Sequence, residues 1–160
     1  MGKQIQSELE DNGILMLGQG IDGSRKAVSE RFTEVEDVVL MGTQSFWEGV
    51  DFLGTNMKSL ILVKLPFPVP SEPIIEAQIE LLEKEGRNSF SDLMIPQAVT
   101  KFKQGFGRLI RSKEDSGIIL VLDKRIVKNH YGKKFLGSLP VSHITAQDEK
   151  ELISKMQSWK

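Results

Sequence analysis

Pro96-Gln-Ala-Val-Thr-Lys-Phe-Lys-Gln-Gly-Phe-Gly-Arg-Leu-Ile-Arg111, followed shortly by Ser116-Gly-Ile-Ile-Leu-Val-Leu-Asp123, decides how this chain folds. In the first stretch Ala98, Phe102, Gly105 and Leu109 recur at spacings of 4, 3 and 4. That is one stripe of an α-helix turned toward a core, and it predicts a helix over 96–111. Gln97, Lys101, Gln104, Arg108 and Arg111 take the other face. In the second stretch the apolar run is continuous between Gly117 and Asp123. A strand covered on both faces reads this way. A helix feeding such a strand is the repeating unit of a parallel α/β sheet.

The same alternation runs outward from this point. Ile14–Leu17, Val38–Met41 and Leu60–Val63 are further short apolar runs that read as buried strands, and Ser142–Thr145 reads as a fifth. Between them, 24–32 reads as a helix capped by Ser24, with Ala27, Val28, Arg31 and Phe32 along one side. Residues 74–85 read as an amphipathic helix started by Ser-Glu-Pro and stopped by Gly86. Short helices are expected at 131–136 and 148–159. Pro66, Pro68, Pro70 and Pro73 forbid regular structure in the segment between the third strand and its helix. The fold class is therefore α/β, a mostly parallel central sheet with helices on both faces. In such sheets ligands bind beyond the carboxyl ends of the strands. The polar loops at 42–51, 65–73 and 123–128 all follow strands and are expected to gather there, near the arginine helix. Residues 3–11 read as the end of a helix with no strand before it, so the domain is expected to be truncated at its N-terminus.

Composition excludes several kinds of chemistry. With no cysteine, this segment has no disulfide, thiolate metal site, iron–sulfur cluster or cysteine nucleophile. That suits a reducing cytoplasm, the expected location. His130 and His143 stand in no metal-ligand pattern, so no metal site is expected. No apolar run approaches the roughly 20 residues that span a bilayer, so no membrane association is expected. Net charge is −1, from 21 Lys+Arg against 22 Asp+Glu. Binding of nucleic acid through bulk charge would need a far more basic chain, so any polyanion contact is local. The densest basic stretch is Lys124, Arg125, Lys128, Lys133 and Lys134, for which a solvated surface is the simpler account.

Gln104, Arg108 and Arg111 lie at i, i+4 and i+7, hence on one helical stripe. Gly105 and Gly107 lie between them, and each costs a helix about 1 kcal/mol relative to alanine. Two arginines and a glutamine in this setting suit the presentation of planar guanidinium forks to a polyphosphate. The plain alternative is an exposed helix with scattered arginines. Glu48 and Asp51, three apart in Gly42-Thr-Gln-Ser-Phe-Trp-Glu-Gly-Val-Asp-Phe52, admit three readings. They suit a metal pair, a general acid and base, or acceptors for ribose hydroxyls and arginines. Trp47 suits either stacking on a base or packing against the sheet edge.

Taken together these blocks resemble the second motor domain of superfamily 2 helicases, in the branch that contains DinG and XPD. Gly42 to Phe52 resembles the branch's motif V, and Gln104-Gly-Phe-Gly-Arg108-Leu-Ile-Arg111 resembles its motif VI. Leu65-Pro-Phe-Pro68 is similar to the segment after the central strand, and Ser116 to Arg125 is similar to the strand ending in Asp-Lys-Arg. Gly42-Thr-Gln-Ser-Phe46 and Leu109-Ile-Arg-Ser112 lie nearer the DinG side of the branch.

The resemblance implies a RecA-like three-layer sandwich, with residues 1–160 forming the second motor domain of a larger protein. It implies an ATP-dependent DNA helicase in which ATP and Mg²⁺ lie between this domain and a first RecA-like domain of the same polypeptide. Arg111 then becomes the arginine finger, Arg108 a second phosphate contact and Gln104 the residue that orients them. Glu48, Gly49 and Asp51 fall on the nucleotide side of motif V. Thr43, Gln44 and Ser45 fall on the backbone of single-stranded DNA. No Gly-x-x-x-x-Gly-Lys-Ser/Thr loop occurs in the sequence, so the isolated chain is expected not to hydrolyse ATP. The alternative expectation is a non-catalytic RecA-like module that binds nucleic acid or docks a partner.

Overall fold

The computed structural model of the protein describes residues 2–43, 57–112 and 114–158. The chain divides into two compact units, Met1–Asn56 and Met57–Lys160.

In the first unit, α1 (Gly2–Asp11) leads through Gly13, at φ +75°, into β1 (Leu15–Gly18). α2 (Arg25–Glu34) then returns the chain to β2 (Val38–Met41). The two strands pair in parallel, with Leu15 opposite Val38 and Gly18 opposite Met41. Ser24 caps α2 as its sequence requires, its hydroxyl accepting from the Ala27 N–H at 3.3 Å. Only part of the expected apolar side of α2 is used. Leu17 and Val28 are fully buried, with Leu15, Phe32, Val38 and Leu40 packed round them, while Ala27 and Arg31 stay exposed.

The second unit opens with β3 (Ser59–Leu62), then the proline segment and α3 (Pro73–Lys84), with Pro73 in its first turn. Gly86, at φ +71°, ends α3; its N–H bonds the Glu83 carbonyl, and the Arg87 N–H bonds the Leu82 carbonyl. This is the Schellman closure that a positive-φ glycine permits. The chain then forms a π-helical turn (Phe90–Met94) continuous with α4 (Ile95–Leu109). β4 (Ile118–Val121) pairs in parallel with β3, Ser59 opposite Ile118 and Leu62 opposite Val121. The short helices α5 (Arg125–Lys128) and α6 (Gly132–Leu136) follow, and α7 (Glu149–Gln157) is capped by Asp148. All four residues of the predicted α4 stripe, Ala98, Phe102, Gly105 and Leu109, are buried. Phe102 meets the fully buried Phe135 of α6 edge-on, with 5.5 Å between ring centroids.

The fold is thus mixed α/β with parallel strand pairing, as read from the sequence. Two boundaries and one expected element differ. The helix begins before Pro96, because the π turn over Phe90–Met94 supplies the wider spacing that accommodates a ring lacking an N–H. Its start is marked by Asn88, whose side-chain oxygen accepts from the Ser91 N–H at 2.9 Å. At the other end α4 stops at Leu109, and Ile110 is already extended. The strand expected at 142–145 is irregular: Ile144 is 77% exposed, and among the described residues no strand pairs with it. A short run with no neighbouring backbone has no ladder to join.

Candidate functional site

α4 carries the glutamine–arginine stripe because its opposite stripe is buried. Gln104 is exposed, and Arg108 sits half-buried in the last turn. A cation there also complements the carbonyl end of the helix dipole. Arg111 lies two residues past the helix end, so it leaves the stripe and projects from the α4–β4 loop. Asp115 sets the course of that loop. Its carboxylate accepts from the Arg111 N–H at 2.8 Å and from the Ser112 N–H at 2.7 Å. Bonds of this kind compete with helical ones and end the helix. The same backbone bonds hold the Asp115 carboxyl below the usual carboxylate range. The two helical glycines differ. Gly105 is buried in the stripe, whereas a Cβ on Gly107 would meet no atom within 4 Å among the described residues.

The carboxyl ends of β3 and β4 are joined by Asp123, which the sequence reading placed in a loop without a role. Its carboxylate accepts the Leu65 N–H at 2.9 Å, across 58 residues of sequence. It also accepts the Arg125 N–H at 3.1 Å, Nε at 3.0 Å and Nη2 at 2.6 Å. The Arg125 guanidinium, followed by the Leu65 and Arg125 N–H groups, outweighs burial and pulls Asp123 down to about 2 from 3.8. The same bond raises Arg125. Arg125 also lies over the Phe67 ring, 5.4 Å from its centroid. Phe67 packs with Phe90, Tyr131 and Phe135 at centroid distances of 5.6–5.8 Å. Two of the motif blocks, Leu65–Pro68 and Asp123–Arg125, are therefore one structural joint. The signal in the sequence was the Asp-x-Arg spacing directly after an apolar strand. An open groove of about 390 Å³ lies at this joint, lined by Val63, Lys64, Leu122, Asp123, Lys124 and Arg125.

In the first unit, Thr43 follows β2 and is exposed. Its N–H and hydroxyl both donate to Gln19 Oε1, at 3.3 and 3.0 Å. Gln19 follows the parallel partner strand, so the bonds link the carboxyl ends of β1 and β2. Gln44, Ser45, Trp47, Glu48, Gly49 and Asp51 lie outside the described residues. Among the described residues no three His, Asp or Glu side chains gather as a metal cage. No helix among them is long and apolar enough to cross a membrane.

Residues 1–142 match the helicase C-terminal domain family. The chain belongs to that family. It is 41% identical over 157 residues to a 3'-5' exonuclease DinG of Bacillus subtilis, covering 95% of this chain and 17% of that protein. It is also 41% identical over 149 residues to an ATP-dependent DNA helicase YoaA of Haemophilus influenzae, covering 93% of this chain and 23% of the relative. Against an ATP-dependent DNA helicase DinG of Photobacterium profundum, identity is 46% over 102 residues, or 64% of this chain and 15% of the relative. The chain thus spans between 15% and 23% of the length of these relatives.

Proposed function

We propose that residues 1–160 form the second RecA-like motor domain of a DinG-type, DNA-dependent ATPase and helicase. The observation that carries this reading is the end of α4. Arg108 occupies the last helical turn, and Arg111 lies two residues past its end on a backbone held by Asp115. Two guanidinium groups so close to a fixed helix end form a donor set suited to phosphate oxygens. The fit to a nucleoside triphosphate is through these donors. The carboxylate that holds Mg²⁺ and the loop that cradles the phosphates would come from a first RecA-like domain of the same polypeptide. When bound, ATP would gate closure of the two halves and supply the phosphoryl group to be transferred to water.

In this reading Arg111 stabilises charge developing on the transferred phosphoryl group, Arg108 contacts the phosphates, and Gln104 orients them. Glu48, Gly49 and Asp51 face the nucleotide, with Asp51 accepting from ribose or from an arginine. Thr43, Gln44 and Ser45 bond the backbone of single-stranded DNA through hydroxyl and amide groups, without reading its sequence. The relatives named as ATP-dependent DNA helicases support the reading at the level of the whole protein.

The test is ATP turnover by the protein that joins this domain to a first motor half, with and without single-stranded DNA. Arg111→Ala should lower DNA-stimulated turnover on the order of 10³-fold while leaving the fold intact. Near-normal turnover in the variant sinks the finger assignment. No turnover in the wild type would favour a non-catalytic module that binds nucleic acid or docks a partner.

A further inference from the structure

Between Asp123 and Asp148 the sequence contains no acidic residue, yet it holds Lys124, Arg125, Lys128, Lys133, Lys134 and both histidines. In a chain of net charge −1 this is a strong local asymmetry. α5 buries Ile126, so Lys124 and Lys128, four apart, fall on its outward side. α6 buries Gly132 and Phe135, which leaves Lys133 and Lys134 exposed. The two helices are locked together. A Cβ on Gly132 would lie 1.9 Å from the Ile126 carbonyl oxygen, so only glycine permits their approach. Phe135 in turn packs on Phe67 and Phe102. The lysines therefore stand on a rigid platform.

Lacking an ion pair is shared with Lys58, Lys64, Lys103 and Lys150 among the described residues; what is particular to the platform is that its unpaired lysines cluster in a segment without a carboxylate partner for them. Elsewhere Lys26, Lys84, Arg87 and Lys155 each meet a carboxylate. On this platform Arg125 is neutralised by Asp123, whereas Lys124, Lys128, Lys133 and Lys134 form no ion pair among the described residues. Like charges four apart on a helix repel, and nothing within the segment offsets them. A solvated surface would tolerate, but not need, so complete an exclusion of acidic residues.

We propose that the outer face of α5 and α6 is a polyanion-binding surface that takes the phosphate backbone of single-stranded DNA. Ammonium groups are compact point charges that bind phosphates without selecting bases. The identity of the polyanion as DNA rests on the proposed function, but the basic face does not.

The experiment measures binding of the full chain to a fluorescent single-stranded oligothymidylate across a salt series. The variant replaces Lys124, Lys128, Lys133 and Lys134 by glutamine, and a control replaces Lys26, Lys58, Lys84 and Lys150. Each lost phosphate contact lowers the slope of log affinity against log salt by about 0.7. The platform variant should lower the slope by roughly 2 to 3 and weaken binding on the order of tenfold, with the control close to wild type. An unchanged slope overturns the proposal, as does an equal loss in the control. Lost binding to phosphatidylserine vesicles with unchanged DNA binding overturns the choice of DNA. A slope that responds to the lysines while the wild type joined to a first motor half shows no ATP turnover leaves this surface standing and removes the motor reading. An unchanged slope with turnover lost in Arg111→Ala does the reverse.

Discussion

β1–β2 and β3–β4 are both parallel pairs of four-residue strands, but the bonds that hold their carboxyl ends differ in burial and in charge. After β1 and β2 the link is neutral and exposed, the Gln19 amide oxygen accepting twice from Thr43. After β3 and β4 it is a carboxylate whose side chain is 8% exposed, bound by a guanidinium that lies over an aromatic ring. Water competes for the first link, whereas at the second it reaches the half-exposed guanidinium but little of the carboxylate, and the bonds there are charge-assisted and so stronger. The comparison separates two tasks. The Asp123 joint fixes the backbone next to the lysine platform, while the Gln19–Thr43 link leaves polar groups at the surface, where the proposed function has them meet DNA.

The largest expected effect comes from removing the support beneath the Asp123 joint. Phe135 is fully buried and touches Phe67, Phe102 and Tyr131. Phe135→Ala should cost about 3–5 kcal/mol, read from urea denaturation. A loss below about 1 kcal/mol would mean that the aromatic cluster does not hold the joint.

A smaller effect tests the carboxylate itself. The pKa of Asp123 falls to about 2 on folding, from 3.8. A group depressed in the folded state stabilises above its unfolded pKa, and that contribution is lost as pH falls through the folded value. Stability should therefore be fully supported above about pH 5 and decline toward pH 2, by about 2 kcal/mol from this group. Asp123→Asn should lower stability at pH 7 by a similar amount and flatten the acid limb. A variant with the same acid limb as the wild type would move the pH dependence to another carboxylate.

The smallest effect belongs to the other strand pair. Gln19→Ala should cost only about 0.5–1 kcal/mol, because its bonds to Thr43 are exposed. Thermal denaturation reads this, and a loss as large as that of Asp123→Asn would erase the distinction between the two ends.

Much of the fold was legible in the chain because periodicity is local. The stripe of Ala98, Phe102, Gly105 and Leu109 named its own buried face, and Ser24 and Gly86 marked their helix ends. The end of α4 was less legible. Arg111 continues the helical spacing, but Asp115 claims its backbone N–H, and a side chain four residues downstream is not part of a periodic pattern. Ser142–Thr145 failed for the opposite reason: it has an apolar residue but no partner strand among the described residues.

The sequence by itself determined the α/β class, the helical stripe of α4, the place of Arg108 opposite it and the exclusion of acidic residues between Asp123 and Asp148. Each of these is a matter of spacing or composition within one segment. Tertiary structure alone decided that Asp123 reaches back to Leu65, that Arg125 is neutralised while its neighbouring lysines are not, and that Gly132 lets two short helices meet. Those facts depend on which distant residues come within a few ångströms. Burial and backbone approach set them, and no pattern along the chain records either.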